Sequence, residues 1–96
     1  MNAENFRNEY DGKLAECGFV LREVGSSYLL YKKYPKDDHI ADPPPDAILT
    51  IFFDNEKIKD IKLIKYKYWL ENEYTPRKSK HTYHFKSMDA LLAEIP

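Results

Sequence analysis

Three groupings of residues in this 96-residue sequence have the types that do chemistry. They are the acidic segment KDDHIADPPPD, the histidines of HTYHF, and the lysines of KIKDIKLIKYKYWL with the following PRKSK. In the first, Asp37, Asp38, His39, Asp42 and Asp46 are ligand types for a hard divalent cation. Cation-binding loops need glycine at the sharp turn and carboxylates at alternating positions. Here Pro43, Pro44 and Pro45 keep the chain extended, so an exposed, stiff acidic loop is expected and no metal site. A stiff charged loop loses little entropy on docking, which makes Asp37, Asp38 and Asp42 candidate partner contacts.

His81 and His84 are three apart in a stretch whose Thr82, Tyr83 and Phe85 favour a strand. On a strand the two rings face opposite sides and cannot chelate one ion. The sequence has no cysteine pair, no glycine-rich phosphate loop and no nucleophile elbow. Catalysis would have to come from His39, His81 or His84 with a scattered carboxylate, and nothing in the spacing fixes such a pair. The chain is therefore expected not to be an enzyme, with no catalytic residue, no bound metal and no cofactor.

The third grouping, residues 57–70, interleaves five lysines with aliphatics and three aromatics. Such a row is either the wet face of a strand, where lysines discourage edge-to-edge pairing, or a cationic binding face. Trp69 and the cluster Arg77, Lys78, Lys80 favour binding, since an aromatic beside a cationic row combines stacking with phosphate contact. Two features oppose direct base reading. Lysine lacks the guanidinium fork, and the formal charge of the whole chain is −1. That charge is unevenly distributed. Residues 1–56 carry six Lys/Arg against eleven Asp/Glu, residues 57–86 carry nine against three, and the last ten add two acids. If the blocks also separate in space, the molecule is dipolar.

These residues need elements to position them. The length suits one domain spanning residues 1–96, and 43% hydrophobic with 32% charged residues marks a globular chain. Ala3, Phe6, Tyr10, Leu14 and Cys17 recur at helical spacing, with Asn2 as a start and Gly18 as a stop. Two apolar runs, 19–24 and 27–34, flank Gly25-Ser26 as a hairpin. The run 48–53 is nearly all apolar and is expected to be a central strand buried on both faces. Asp54-Asn55-Glu56-Lys57 turns into the lysine-rich strand, 71–80 reads as a polar loop and 81–85 as a short strand. Ser87 caps a closing helix carrying Met88, Leu91, Leu92 and Ile95. The expected architecture is α+β, in the order α-β-β-β-β-β-α: an antiparallel sheet of about five strands with both helices on one face.

Side-chain parity then predicts how the lysines point. Ile61 and Leu63 share one face, whereas Ile64, Tyr66, Tyr68 and Leu70 share the other. A β-bulge between Leu63 and Ile64 would bring both sets to the core and leave Lys62, Lys65, Lys67 and Trp69 outward as one stripe. Tyrosine is abundant, eight of fourteen aromatics, which suits half-buried sheet surfaces and binding faces alike.

Cys17 stands alone, so it reads as a small buried hydrophobe and no internal disulfide forms. Charges run throughout residues 1–18 and no apolar stretch reaches spanning length, so a cytoplasmic chain without membrane contact is expected. The expected function is non-enzymatic occupation of a macromolecular partner, a protein or a protein–nucleic acid complex. Compact α+β chains of this kind occur among phage and mobile-element accessory proteins, including inhibitors of host defence complexes such as anti-CRISPR proteins. No residue motif here identifies such a family. Two alternatives stand beside it: a nucleic-acid-binding module using the basic strand face with Trp69, and a homodimer formed through a strand edge or the tyrosine-rich face.

Overall fold

The computed structural model describes residues 1–35, 44–72 and 75–95. Helix α1 (Ala3–Glu16) is followed by β1 (Phe19–Val24), β2 (Tyr28–Lys33), β3 (Ala47–Asp54), β4 (Lys57–Asn72), β5 (Thr75–Phe85) and α2 (Met88–Glu94). The strands lie in chain order and every neighbouring pair is antiparallel. The α+β architecture and element order are as the sequence predicts.

The helices form where their ends are satisfied. Asn2 Oδ1 accepts the N–H of Asn5 at 2.8 Å, and Gly18 follows the Cys17 cap at φ 92°, a backbone region open to glycine. Ser87 Oγ accepts the N–H of Ala90 at 3.1 Å and starts α2. Phe6 and Leu14 of α1, and Met88 and Leu91 of α2 with the capping Ile95, are buried in a single cluster. Their sheet partners form two cross-strand rows, Leu29–Ile51–Ile61 and Tyr31–Leu49–Leu63. Every sheet residue in those rows has the same parity, so both helices cover one face. Burying each such side chain is worth about 1.5–3 kcal/mol. That burial holds the short helices in place.

The opposite face has no covering layer among the described residues. Leu30, Ile48, Phe52 and Ile64 remain only half-buried there, and Thr50 sits between them at 9% exposure. β3 is therefore central, as expected, but it is not buried on both faces. Its continuous apolar run reflects packing beneath helices on one side and shading by neighbouring strands on the other.

The bulge expected between Leu63 and Ile64 is absent, because β4 runs in unbroken register against both neighbours there. The break lies further back. Phe52 pairs with Asp60 and Phe53 with Ile58, leaving Lys59 as the extra residue. That shift brings Ile58 to the core side beside Phe53, and both pack against the cluster. A second irregularity leaves Arg22 as the extra residue of β1, between Leu21 and Glu23, and Val24 beyond it stays 59% exposed. The segment 71–80, expected as a loop, is mostly strand: β4 reaches Asn72 and β5 begins at Thr75. Pro76 is tolerated because β5 is an edge strand with no ladder on its outer side.

Candidate functional site

β4 is twice the length of β3, and the difference builds the site. The β3 ladder ends at Ala47–Lys65, with one further bond from the Tyr66 N–H to the Asp46 carbonyl at 2.8 Å. Beyond it, residues 66–72 of β4 pair with 75–80 of β5 as a two-stranded ribbon, with Lys65 at its base on the last rung shared with β3. At about 3.3 Å per residue the ribbon extends roughly 20 Å past the sheet. The molecule is correspondingly long, 49 × 26 × 23 Å, with a radius of gyration of 14.8 Å. A compact domain of this length would have about 12.5 Å.

The register assigns each sequence-predicted residue. Lys65 and Lys67 continue the parity of Ile61 and Leu63, on the helix side. Lys78 and Lys80 stand opposite Tyr68 and Tyr66, and these share the open face with Lys62. The single outward stripe of Lys62, Lys65, Lys67 and Trp69 is thus replaced by cations on both faces. Without a bulge, Lys65 and Lys67 fall on the side that carries the helices, an arrangement that would be costly if a helix lay over them. Strand length avoids the cost: the core cluster reaches Ala47 opposite Lys65 but no further along β4, and both lysines are exposed. Lys62 belongs to the sheet body, half-buried between Thr50 and His84 in the same row.

Of residues 69–72 and 75–77 only the ladder is described, in which Trp69 pairs with Arg77. Asp37, Asp38, His39 and Asp42 lie outside the described residues. His81 and His84 take opposite faces, as expected, paired respectively with Lys65 and Lys62. His84 Nδ1 lies 2.9 Å from Asp60 Oδ2 on the open face. Among the described residues no group of three metal-ligating side chains converges. No helix there is long and apolar enough to cross a membrane.

Aromatic rings organise the ribbon's cations. Tyr66 and Tyr68 stack at 6.1 Å between centroids, and Lys78 Nζ lies 5.3 Å from the Tyr66 ring centre. On the other face Lys65 Nζ lies 5.7 Å from the ring of Tyr83, which is 45% exposed. Each contact holds an ammonium over a π-face while leaving it in water. Tyr68 also ties the ribbon to the sheet, since its hydroxyl donates to the Pro45 carbonyl at 3.0 Å. Burial, with Tyr66 and Asp46 nearby, pushes the Tyr68 phenol up, so it remains a donor at neutral pH. Isolated two-stranded ribbons are marginal in water, and this clamp with the cross-strand Tyr–Lys pairs steadies this one.

The acidic and basic blocks separate only in part. Lys57 and Lys59 lie at the far end of β4, where Lys57 pairs with Asp54 and Glu56 occupies the turn. The ribbon lysines lie at the opposite end of the same strand. Among the described residues Arg7 and Asp11 form an ion pair and His84 contacts Asp60, and neither contact involves a ribbon lysine. Compared with known protein families, curated proteins and solved structures, the chain matches none.

Proposed function

We propose that this chain is a binding protein without catalytic activity of its own, acting by occupying a macromolecular partner through the β4–β5 ribbon. The observation that carries this reading is the run of β4 past β3, where among the described residues no element covers either face of a lysine- and tyrosine-bearing ribbon. Extended two-stranded elements suit grooves and clefts that a flat sheet cannot enter. Obstruction of a host defence complex by a phage or mobile-element protein, in the manner of anti-CRISPR proteins, is a role this kind of chain suits. That narrower assignment rests on the class of chain and on no motif.

The test is affinity capture from a host lysate, with and without nuclease, comparing the wild type with a Lys67→Glu/Lys78→Glu variant of unchanged circular dichroism. A partner retained by the wild type and lost by the variant is expected. Identical capture by both proteins removes the ribbon from the reading. A second reading, self-association through the open sheet face, is favoured by the half-buried row Leu30, Ile48, Phe52 and Ile64. Light scattering across concentration checks it, and a strict monomer excludes it.

A further inference from the structure

We propose that the ribbon's partner is a single-stranded nucleic acid, with Lys65, Lys67, Lys78 and Lys80 on its phosphates and Tyr68 against a base. This rests on the ribbon being the contact element.

Four ammonium groups occupy two adjacent rungs on each face: Lys65 and Lys67 on one side, Lys78 and Lys80 on the other. Lysines two residues apart in a strand recur about every 7 Å, inside the Debye length of about 8 Å at physiological salt. The four therefore repel one another, and a flexible polyanion that crosses the edge of the ribbon reaches both pairs. Their repeat is also close to the phosphate repeat of an extended nucleic-acid strand.

The rings favour a polyanion of this kind over an acidic protein surface. An acidic protein patch needs cations only. Here two of the four lysines sit over tyrosines, Lys65 on Tyr83 and Lys78 on Tyr66, so charge and aromatic ring are presented side by side. Tyr68 is 39% exposed and stacked on Tyr66, so part of its ring surface is available to a further planar group. Phosphate contact paired with base stacking is how unpaired strands are held without sequence preference. A paired duplex hides the base faces that Tyr68 would use, and lysine offers no fork for reading base edges.

Fluorescence anisotropy with labelled oligothymidylate and oligouridylate of about 20 nucleotides tests this, against a duplex of the same length. Four phosphate contacts predict a slope of about −3 for log K against log salt. Replacing any one of the four lysines by alanine is expected to flatten that slope by about 0.7. Tyr68→Ala is expected to weaken binding about 5- to 150-fold, the loss of one stacked base. Tyr68→Phe keeps the ring while losing the bond to Pro45, and should retain binding; a loss as large as that of the alanine variant would assign Tyr68 to ribbon structure and overturn its role on a base. No binding at about 20 mM salt, a slope no steeper than about −1, or tighter binding to the duplex would overturn the single-strand assignment. Nuclease-resistant capture that still depends on Lys67 and Lys78 would overturn it too, while leaving the broader ribbon reading intact.

Discussion

Tyr31 is 1% exposed, yet its hydroxyl donates to Asp11 Oδ1 at 2.5 Å. Asp11 also accepts from Arg7 Nε at 3.1 Å, so one carboxylate joins β2 to the polar side of α1. Burial raises the Tyr31 phenol well above its ordinary value near 10, and the Asp11 carboxylate raises it further. The folded chain therefore holds a proton that the unfolded chain releases above about pH 10. The stability linked to Tyr31 is complete below that pH and falls as pH rises beyond it. Urea midpoints measured from pH 7 to 11 should decline above pH 10, and Tyr31→Phe should remove the largest part of that decline. At pH 7 the same change should cost only about 1 kcal/mol, because Asp11 is partly exposed and regains water. The helix stripe showed in the sequence that Phe6 and Leu14 are buried. It gave no sign of the Tyr31–Asp11 bond, whose residues are twenty apart and meet only when α1 lies across the sheet.

Among the elements, the turn between β3 and β4 places two non-glycine residues in the left-handed region, Asn55 at φ 49° and Glu56 at φ 63°. Asparagine tolerates that region and glutamate does not, since its Cβ crowds the backbone at a cost of about 1–2 kcal/mol. Glu56→Gly should relieve the crowding while adding some unfolded-state entropy, for a net gain of about 0.5–1 kcal/mol. Scanning calorimetry should show the midpoint rising by about 4 °C, and an unchanged or lower midpoint would count against the strain. The turn itself could be read from Asp54-Asn55-Glu56-Lys57. The bulge could be read only with the right residues in hand. Ile58 and Ile61 are three apart and both pack toward the core, which is the signature of one extra residue between them. Parity alone pointed instead to Leu63-Ile64, because it presumes that every apolar residue of a strand seeks the same side. Ile64, Tyr66 and Tyr68 instead take the open face.

For the whole molecule, the decisive feature is that the helices cover one sheet face and nothing among the described residues covers the other. Adjacent residues of β3 should therefore respond very differently to the same truncation. Leu49→Ala, beneath the helices at 0% exposure, should cost about 2–5 kcal/mol through the cavity it leaves. Ile48→Ala, half-buried on the open face, should cost no more than about 1.5 kcal/mol. Urea unfolding of the two variants measures the difference, and equal losses would mean that something also covers the open face. The second global feature is the length of β4, which carries its lysines to both ends of the molecule and dilutes the charge division between the halves of the chain. The ribbon cluster survives that dilution.

The sequence by itself determined the element order, the helix ends, the single-sided helix layer and the lysine–tyrosine content of the longest strand. Those follow from local spacing, capping and turn chemistry, which act between residues a few positions apart. Only the tertiary structure decided where β3 stops pairing with β4, that 71–80 continues as strand, and which lysines share a face. Ladder length and register are set by partners far away in the chain. A one-residue shift in register reverses every side chain, and local pattern alone leaves that choice open.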